Sequence, residues 1–149
     1  MLKIRKATPK DTEALMDLYL KHLAKHPPKE PQNINTWREK LATFEANPMY
    51  NIFVGEINER VVSSITLVTI ENLTNNTRPY AIIENVVTHA EFRGKGYASA
   101  LMQKATETAA AQNCYKIMLL TGSKKESTLA FYENCGFNKH EKTGFIKRF

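Results

Sequence analysis

Cysteine is scarce in this chain: only Cys114 and Cys135 occur among 149 residues. Two residues so placed form no disulfide framework, and a reducing, cytoplasmic setting is the expectation. Long apolar runs are missing as well. Nothing approaches the ~20 residues needed to span a bilayer, and Met1 to Arg5 alternates like a strand without the core of a signal peptide. Internal repeats, low-complexity tracts and linkers are absent. At 42% hydrophobic, residues 1–149 are expected to form one domain with a substantial core. Acidic residues are the minority, 15 against 21 Lys and Arg, for a net charge of +6. No recognition helix or aromatic–basic RNA signature accompanies that charge, so nucleic acid is not an expected partner. Much of it falls in the last quarter, at Lys124, Lys125, Lys139, Lys142, Lys147 and Arg148. Such a field suits an anionic small molecule.

The hydrophobic pattern predicts alternating elements. Lys3 to Lys6 is an edge strand. Thr8 as N-cap, Pro9 at the first position and Asp11 reaching back start a helix, with Leu15, Leu18, Tyr19, His22 and Leu23 on one face. His26 to Pro31 breaks it. A second helix runs from about Thr36, carrying Trp37, Leu41 and Phe44, and ends before Pro48. Asn51 to Glu56 and Arg60 to Ile70 are strands joined by a turn at Asn58–Glu59. A polar loop from Asn72 to Arg78 leads to a central strand, Pro79 to Thr88. A helix over Tyr97 to Gln112 follows, then a strand over Lys116 to Thr121. Ser123 and Glu126 form a capping box for the next helix, which ends at Gly136. Phe137 to Phe149 is expected to close the sheet as a hairpin turning near Lys142 to Gly144.

Between the central strand and its following helix lies Arg93-Gly94-Lys95-Gly96-Tyr97-Ala98. A strand, a glycine turn and a helix start make an anion site, because main-chain N–H groups converge there and the helix dipole adds positive charge. Gly94 and Gly96 let a phosphate approach the backbone, and Arg93 and Lys95 add charge at the rim. The third glycine of a dinucleotide fingerprint is missing, and so is the Ser or Thr that follows Gly-Lys in a Walker loop. What remains is R-x-x-G-x-A.

That loop, together with Ile83-Glu84-Asn85-Val86-Val87 upstream and Phe131-Tyr132-Glu133-Asn134-Cys135-Gly136-Phe137 downstream, resembles the GNAT family of N-acetyltransferases. The resemblance covers the whole chain, most specifically Ala81 to Phe137. It implies an α/β fold: a mixed, mostly antiparallel twisted sheet of six to seven strands flanked by about four helices, splayed between the fourth and fifth strands. It also implies acetyl-CoA as acetyl donor, no metal, a homodimer, and direct transfer to an amine in a ternary complex.

Such a transfer needs a base for the amine, polarisation of the carbonyl and an acid for the thiolate. Glu84 is an isolated acid in an apolar strand, where burial would raise its pKa toward usefulness; a solvent-facing acid is the other reading. The resemblance makes Glu84 the base. Tyr132 is a phenol, protonated at neutral pH, on an amphipathic segment whose spacing alone favours a core aromatic; the resemblance makes it the acid. By the same resemblance a bulge frees main-chain N–H groups at Val86, Val87 and Thr88 for the thioester and pantetheine. The pyrophosphate falls to Arg93, Gly94, Lys95, Gly96, Tyr97, Ala98 and Ser99. Lys125 stands where many members carry asparagine and meets CoA phosphate or solvent, while Ser123 and Ser127 are caps or CoA contacts.

The amine itself is the least legible part. Glu84, Asn85 and the basic ending Lys147-Arg148-Phe149 resemble glucosamine-6-phosphate N-acetyltransferases, in which a terminal arginine holds sugar phosphate across a dimer interface. Asn85 replaces the usual aspartate of that group. A small primary amine is the expected acceptor, with a protein or peptide acetyltransferase and a CoA-binding regulatory module as the other readings. His22 and His26 share a helical spacing but lack a third ligand, so no metal is expected.

Overall fold

The computed structural model describes residues 1–149. Five strands form one sheet in the order β1 (Lys3–Lys6), β2 (Tyr50–Ile57), β3 (Arg60–Ile70), β4 (Tyr80–Thr88) and β5 (Ile117–Leu119). The first four are antiparallel neighbours, and β5 joins β4 in parallel. The β2–β3 turn falls on Asn58 and Glu59, both at positive φ, the geometry that matches the twist of a tight hairpin.

One face of the sheet carries α1 (Thr12–Asp17) and α2 (Ile34–Ala46) over Leu15, Leu41, Ile52 and Val54. The other carries α4 (Tyr97–Ala111), whose Leu101, Met102, Ala105 and Ala109 pack on Ile65, Leu67, Ala81 and Ile83. The short α3 (Thr74–Thr77) is a turn with Asn75 and Asn76 in the left-handed region, where asparagine is tolerated. Helix α5 (Glu126–Asn134) ends as expected at Gly136. The Phe137 and Gly136 amides donate to the Tyr132 and Glu133 carbonyls, closing a Schellman motif.

Three expectations are corrected. The sheet has five strands, not six or seven, and Phe137 to Phe149 forms no hairpin. The reason lies at the edge: β5 offers only three residues, too short a rail for a pairing strand, and Phe145, Ile146 and Phe149 stay exposed. Ser123 is not the cap of α5. The helix starts at Glu126 after Lys125, while Ser123 Oγ accepts from the Lys125 amide at 3.3 Å and donates to Thr128 Oγ1 at 3.2 Å. Finally, α1 does not continue as a regular helix. Leu18–Leu23 widens to i→i+5 bonding, with the Ala24 amide on the Tyr19 carbonyl at 2.9 Å. Such wide turns reposition side chains at functional sites.

The start of the first helix is locked by charge. Arg5 Nη1 and Nη2 hold the two Asp11 oxygens at 2.7 and 2.8 Å, and the Thr8 amide donates to the same carboxylate at 2.8 Å. Burial raises the Asp11 pKa, but the hydrogen bonds from Arg5 and Thr8 outweigh it and leave the carboxyl below its usual range. Its contribution is therefore full above the unfolded-state value near ~3.9 and disappears as pH falls through the lower native value. Asp11→Asn is expected to cost about 2 kcal/mol at neutral pH. The difference from wild type should shrink below about pH 4, as denaturant melts across pH would show.

Candidate active site

The central strand breaks its own alternation. Register between β3 and β4 shifts between Ser64↔Val87 and Thr66↔Glu84, so β4 holds one extra residue. Asn85 takes the strain at φ 53°, as the bulge implied by the resemblance requires. Beyond Ile83, β4 has no partner on its outer side, because β5 stops at Leu119; the two strands part there. The His89 amide donates to the Val62 carbonyl. Since successive amides point to opposite sides of a strand, Val87 faces β3, whereas the Val86 and Thr88 N–H groups face the opened side. Of the three expected main-chain donors, two point into the splay.

The glycine turn follows directly. Gly94 and Gly96 adopt φ of 74° and 79°, and Gly96 is the N-cap of α4. None of the main-chain N–H groups from Gly94 to Ser99 has a protein acceptor. A Cβ on either glycine would meet nothing within 4 Å, so the turn carrying those free amides is open on its glycine side. This is a cradle that fits a pyrophosphate. Arg93 is not a free rim charge: its Nε donates to the Thr88 carbonyl at 3.1 Å and its Nη2 to the His22 carbonyl at 3.4 Å. Lys95 lies over the Phe92 ring, 4.9 Å from its centroid. Tyr97 and Ala98 are half-buried, and Ser99 is exposed.

Glu84 is exposed, not buried. The bulge sets Glu84 and Asn85 open to solvent in succession, which a regular strand would not do. Glu84 shares the α1–α2 face with Thr66 and Ile52, its neighbours across the sheet. Its charge reaches two tyrosines. Burial raises the Tyr132 pKa, with smaller upward pushes from Cys135 and Glu84. Burial likewise raises that of Tyr50, assisted by Tyr19 and Glu84. Tyr132 also lines a groove of about 810 Å³ between β5, α5 and the C-terminal segment. Glu84 thus lies one residue before Asn85, which lines a pocket on the α1–α2 side.

That pocket was not foreseen from the sequence. It is a cavity of about 270 Å³ whose walls include Tyr19, Trp37, Phe44 and Tyr50 and whose floor includes Thr66 and Asn85. The aromatic spacing in α1 and α2 that marks it looks, in sequence, like ordinary core. The remaining expected residues lie elsewhere. Lys125 and Ser127 are exposed at the start of α5, and Lys147 and Arg148 are exposed in the C-terminal segment, away from the cavity lining. His22 does not pair with His26. It lies against His89, with ring centroids 4.2 Å apart and planes tilted by 47°, and Asp17 completes a cluster with donor atoms within 4.8 Å of one another. Two of these three side chains already have partners: the Glu91 amide donates to His89 Nδ1, and Lys21 pairs with Asp17.

A sheet parted beside a bulged strand, with an amide cradle at the next helix start, defines a class of acyl-group transferases. The chain belongs to the acetyltransferase (GNAT) family, whose model matches residues 12–137, and is an N-acetyltransferase. It is 31% identical over 144 residues to a glucosamine 6-phosphate N-acetyltransferase of Trypanosoma brucei brucei, covering 95% of this chain and 92% of that protein. A putative acetyltransferase from Agrobacterium tumefaciens superposes with a TM-score of 0.86 at 41% identity, covering 99% of both chains. A transcriptional regulator from Bacillus halodurans superposes at 0.88 with 27% identity over 100% of both chains.

Proposed function

We propose that this single domain transfers acetyl from acetyl-CoA to the primary amine of a small molecule, directly and within a ternary complex. The observation that carries the reading is the position of Glu84, the register partner of Thr66 on the α1–α2 face and one residue before Asn85, which together with Thr66 floors the cavity. The cradle from Gly94 to Ser99 holds the donor's pyrophosphate, with Arg93 bracing the turn and Lys95, Lys125 and Ser127 near the phosphates. The donor supplies an acetyl group activated as a thioester. Val86 and Thr88 N–H groups orient the pantetheine arm and the carbonyl. Glu84 accepts a proton from the attacking nitrogen, directly or through water. As the C–N bond forms and the C–S bond breaks, Tyr132 gives its proton to the departing sulfur. A phenol whose pKa is raised stays protonated through neutral pH and is available for that step.

Burial also pushes both cysteine thiols above their ordinary range. Neither is a ready thiolate, which favours direct transfer over an acetyl-cysteine intermediate. Initial rates with acetyl-CoA and amine both varied are therefore expected to give intersecting reciprocal plots. Intact mass after acetyl-CoA alone should show no acetylated cysteine. Parallel lines with an added acetyl mass would overturn direct transfer. The cavity's size, about 270 Å³, favours a small acceptor over a peptide, which needs a longer groove. The amino-sugar-phosphate acceptor is supported by the trypanosome relative's name, and the homodimer by the sequence resemblance alone. Assay of glucosamine 6-phosphate and the mass in solution test them.

A further inference from the structure

We infer that the acceptor is a primary amine with an apolar, ring-bearing body, seated in the cavity between α1, α2 and the sheet; this rests on the transferase reading of that site. The walls are aromatic on three elements. Tyr19 and Trp37 lean together at 6.1 Å and 51°, and Phe44 stacks on Tyr50 at 3.8 Å and 10°. At the floor, Thr66 is 1% exposed and its Oγ1 is the one buried side-chain polar atom without a hydrogen-bond partner. The Tyr19 hydroxyl lies nearby and is hydrogen-bonded to Ser64 Oγ at 3.3 Å, not to Thr66. A buried hydroxyl left unpaired costs about 1–3 kcal/mol, and an N–H of a bound amine would satisfy it.

Position adds to chemistry. Thr66 and Glu84 are register partners, with Cβ atoms about 5 Å apart in such pairs. A nitrogen resting on Thr66 Oγ1 is therefore beside the proposed base, and its substituent extends between the rings. Aromatic faces also favour an incoming ammonium through cation–π attraction.

The lining argues against the other acceptor classes. Lys40 is its only charged side chain, so a polyamine or aminoglycoside would bring further cations without a carboxylate to meet them. A sugar phosphate would bury several hydroxyls and a dianion against rings, with Thr36, Asn85 and one lysine to serve them. Lys147 and Arg148, expected to hold phosphate, do not line the cavity.

The chain has a single tryptophan, and it is in the cavity wall, so its emission reports occupancy without turnover. The test titrates 2-phenylethylamine, spermidine and glucosamine 6-phosphate into CoA-saturated protein while following Trp37 fluorescence. The same amines are then assayed for thiol release from acetyl-CoA. 2-Phenylethylamine is expected to shift the emission and to have a kcat/KM at least about 10-fold above the others, the effect of roughly 1.4 kcal/mol. Thr66→Val, nearly isosteric, should raise its KM about 5- to 10-fold, a lost hydrogen bond. The acetyl-CoA KM should hold, and the melting temperature should rise by a few degrees because the unpaired hydroxyl is gone. Higher efficiency with glucosamine 6-phosphate or spermidine overturns the acceptor class and leaves the transferase intact. Thiol release with none of the three, despite acetyl-CoA binding, overturns the ring-bearing acceptor class. An unchanged amine KM in Thr66→Val removes Thr66 from the site.

Discussion

Replacing Glu84 by glutamine is expected to lower kcat by roughly 10²- to 10⁴-fold, the usual contribution of a positioned general base, while acetyl-CoA binds as before. The split follows from position. Glu84 lies on the α1–α2 face of β4 opposite Thr66, whereas the cradle begins at Gly94 after the strand has ended at Thr88. Glutamine keeps the size and a hydrogen-bonding end but cannot take a proton. The variant is then limited to amine that has already lost its proton in solution. Its residual rate should climb about tenfold per pH unit below the amine's own pKa, since deprotonation limits it. The wild-type profile should be flatter over the same range. A Glu84→Gln enzyme with the full rate and an unaltered profile would remove Glu84 from proton transfer. Because Glu84 sits in solvent, a water-relayed proton gives the same kinetics; the prediction concerns the carboxylate, not the path.

What could be read in the sequence, and what could not, divides along physical lines. Local signals held. The Thr8–Asp11 helix start, the Asn58–Glu59 turn, the glycine turn before α4 and the Gly136 stop each depend on a few neighbouring residues whose backbone preferences are strong. The stripe of Leu101, Met102, Ala105 and Ala109 faces the core as its spacing demands. Features that depend on distant partners were less legible. Glu84 looks buried in sequence because its neighbours are apolar, but a bulge one residue later turns Glu84 and Asn85 out together. The closing hairpin failed because pairing depends on the length of the edge that receives it, and β5 provides three residues. The cavity was invisible for a similar reason. Tyr19 and Trp37 have helical spacing, so they resemble core. Only the packing of α1 and α2 on a sheet that leaves Thr66 unpaired shows that they enclose space.

Gly96→Val is expected to raise the acetyl-CoA KM by roughly 10²- to 10³-fold, with a modest loss of stability. Two costs add. Gly96 holds a left-handed conformation at φ 79° and ψ 5°, where a residue with a Cβ is strained by roughly 1–2 kcal/mol and a β-branched one is an outlier. The added side chain meets no protein atom within 4 Å, so only the hydrogen bond from the Ala100 amide to the Gly96 carbonyl, at 3.0 Å, opposes relief of that strain by rotation of the loop. Rotation turns the unpartnered amides of Gly94 to Ser99 away from their common point. Each hydrogen bond to a charged phosphate that is lost costs about 1.5–3 kcal/mol, so strain plus one such bond approaches 3–4 kcal/mol, or several hundredfold in affinity. The same openness limits the damage to the fold, because no core contact is displaced. The melting temperature should fall by only a few degrees, about what 1 kcal/mol costs a domain of this size. At saturating acetyl-CoA, kcat should recover, in contrast to Glu84→Gln. Lys95→Ala provides the comparison: its ammonium lies over Phe92 in solvent, so its removal should change KM only a few-fold and chiefly at low salt. If Gly96→Val binds acetyl-CoA as tightly as wild type, the amides of this turn are not where the pyrophosphate rests.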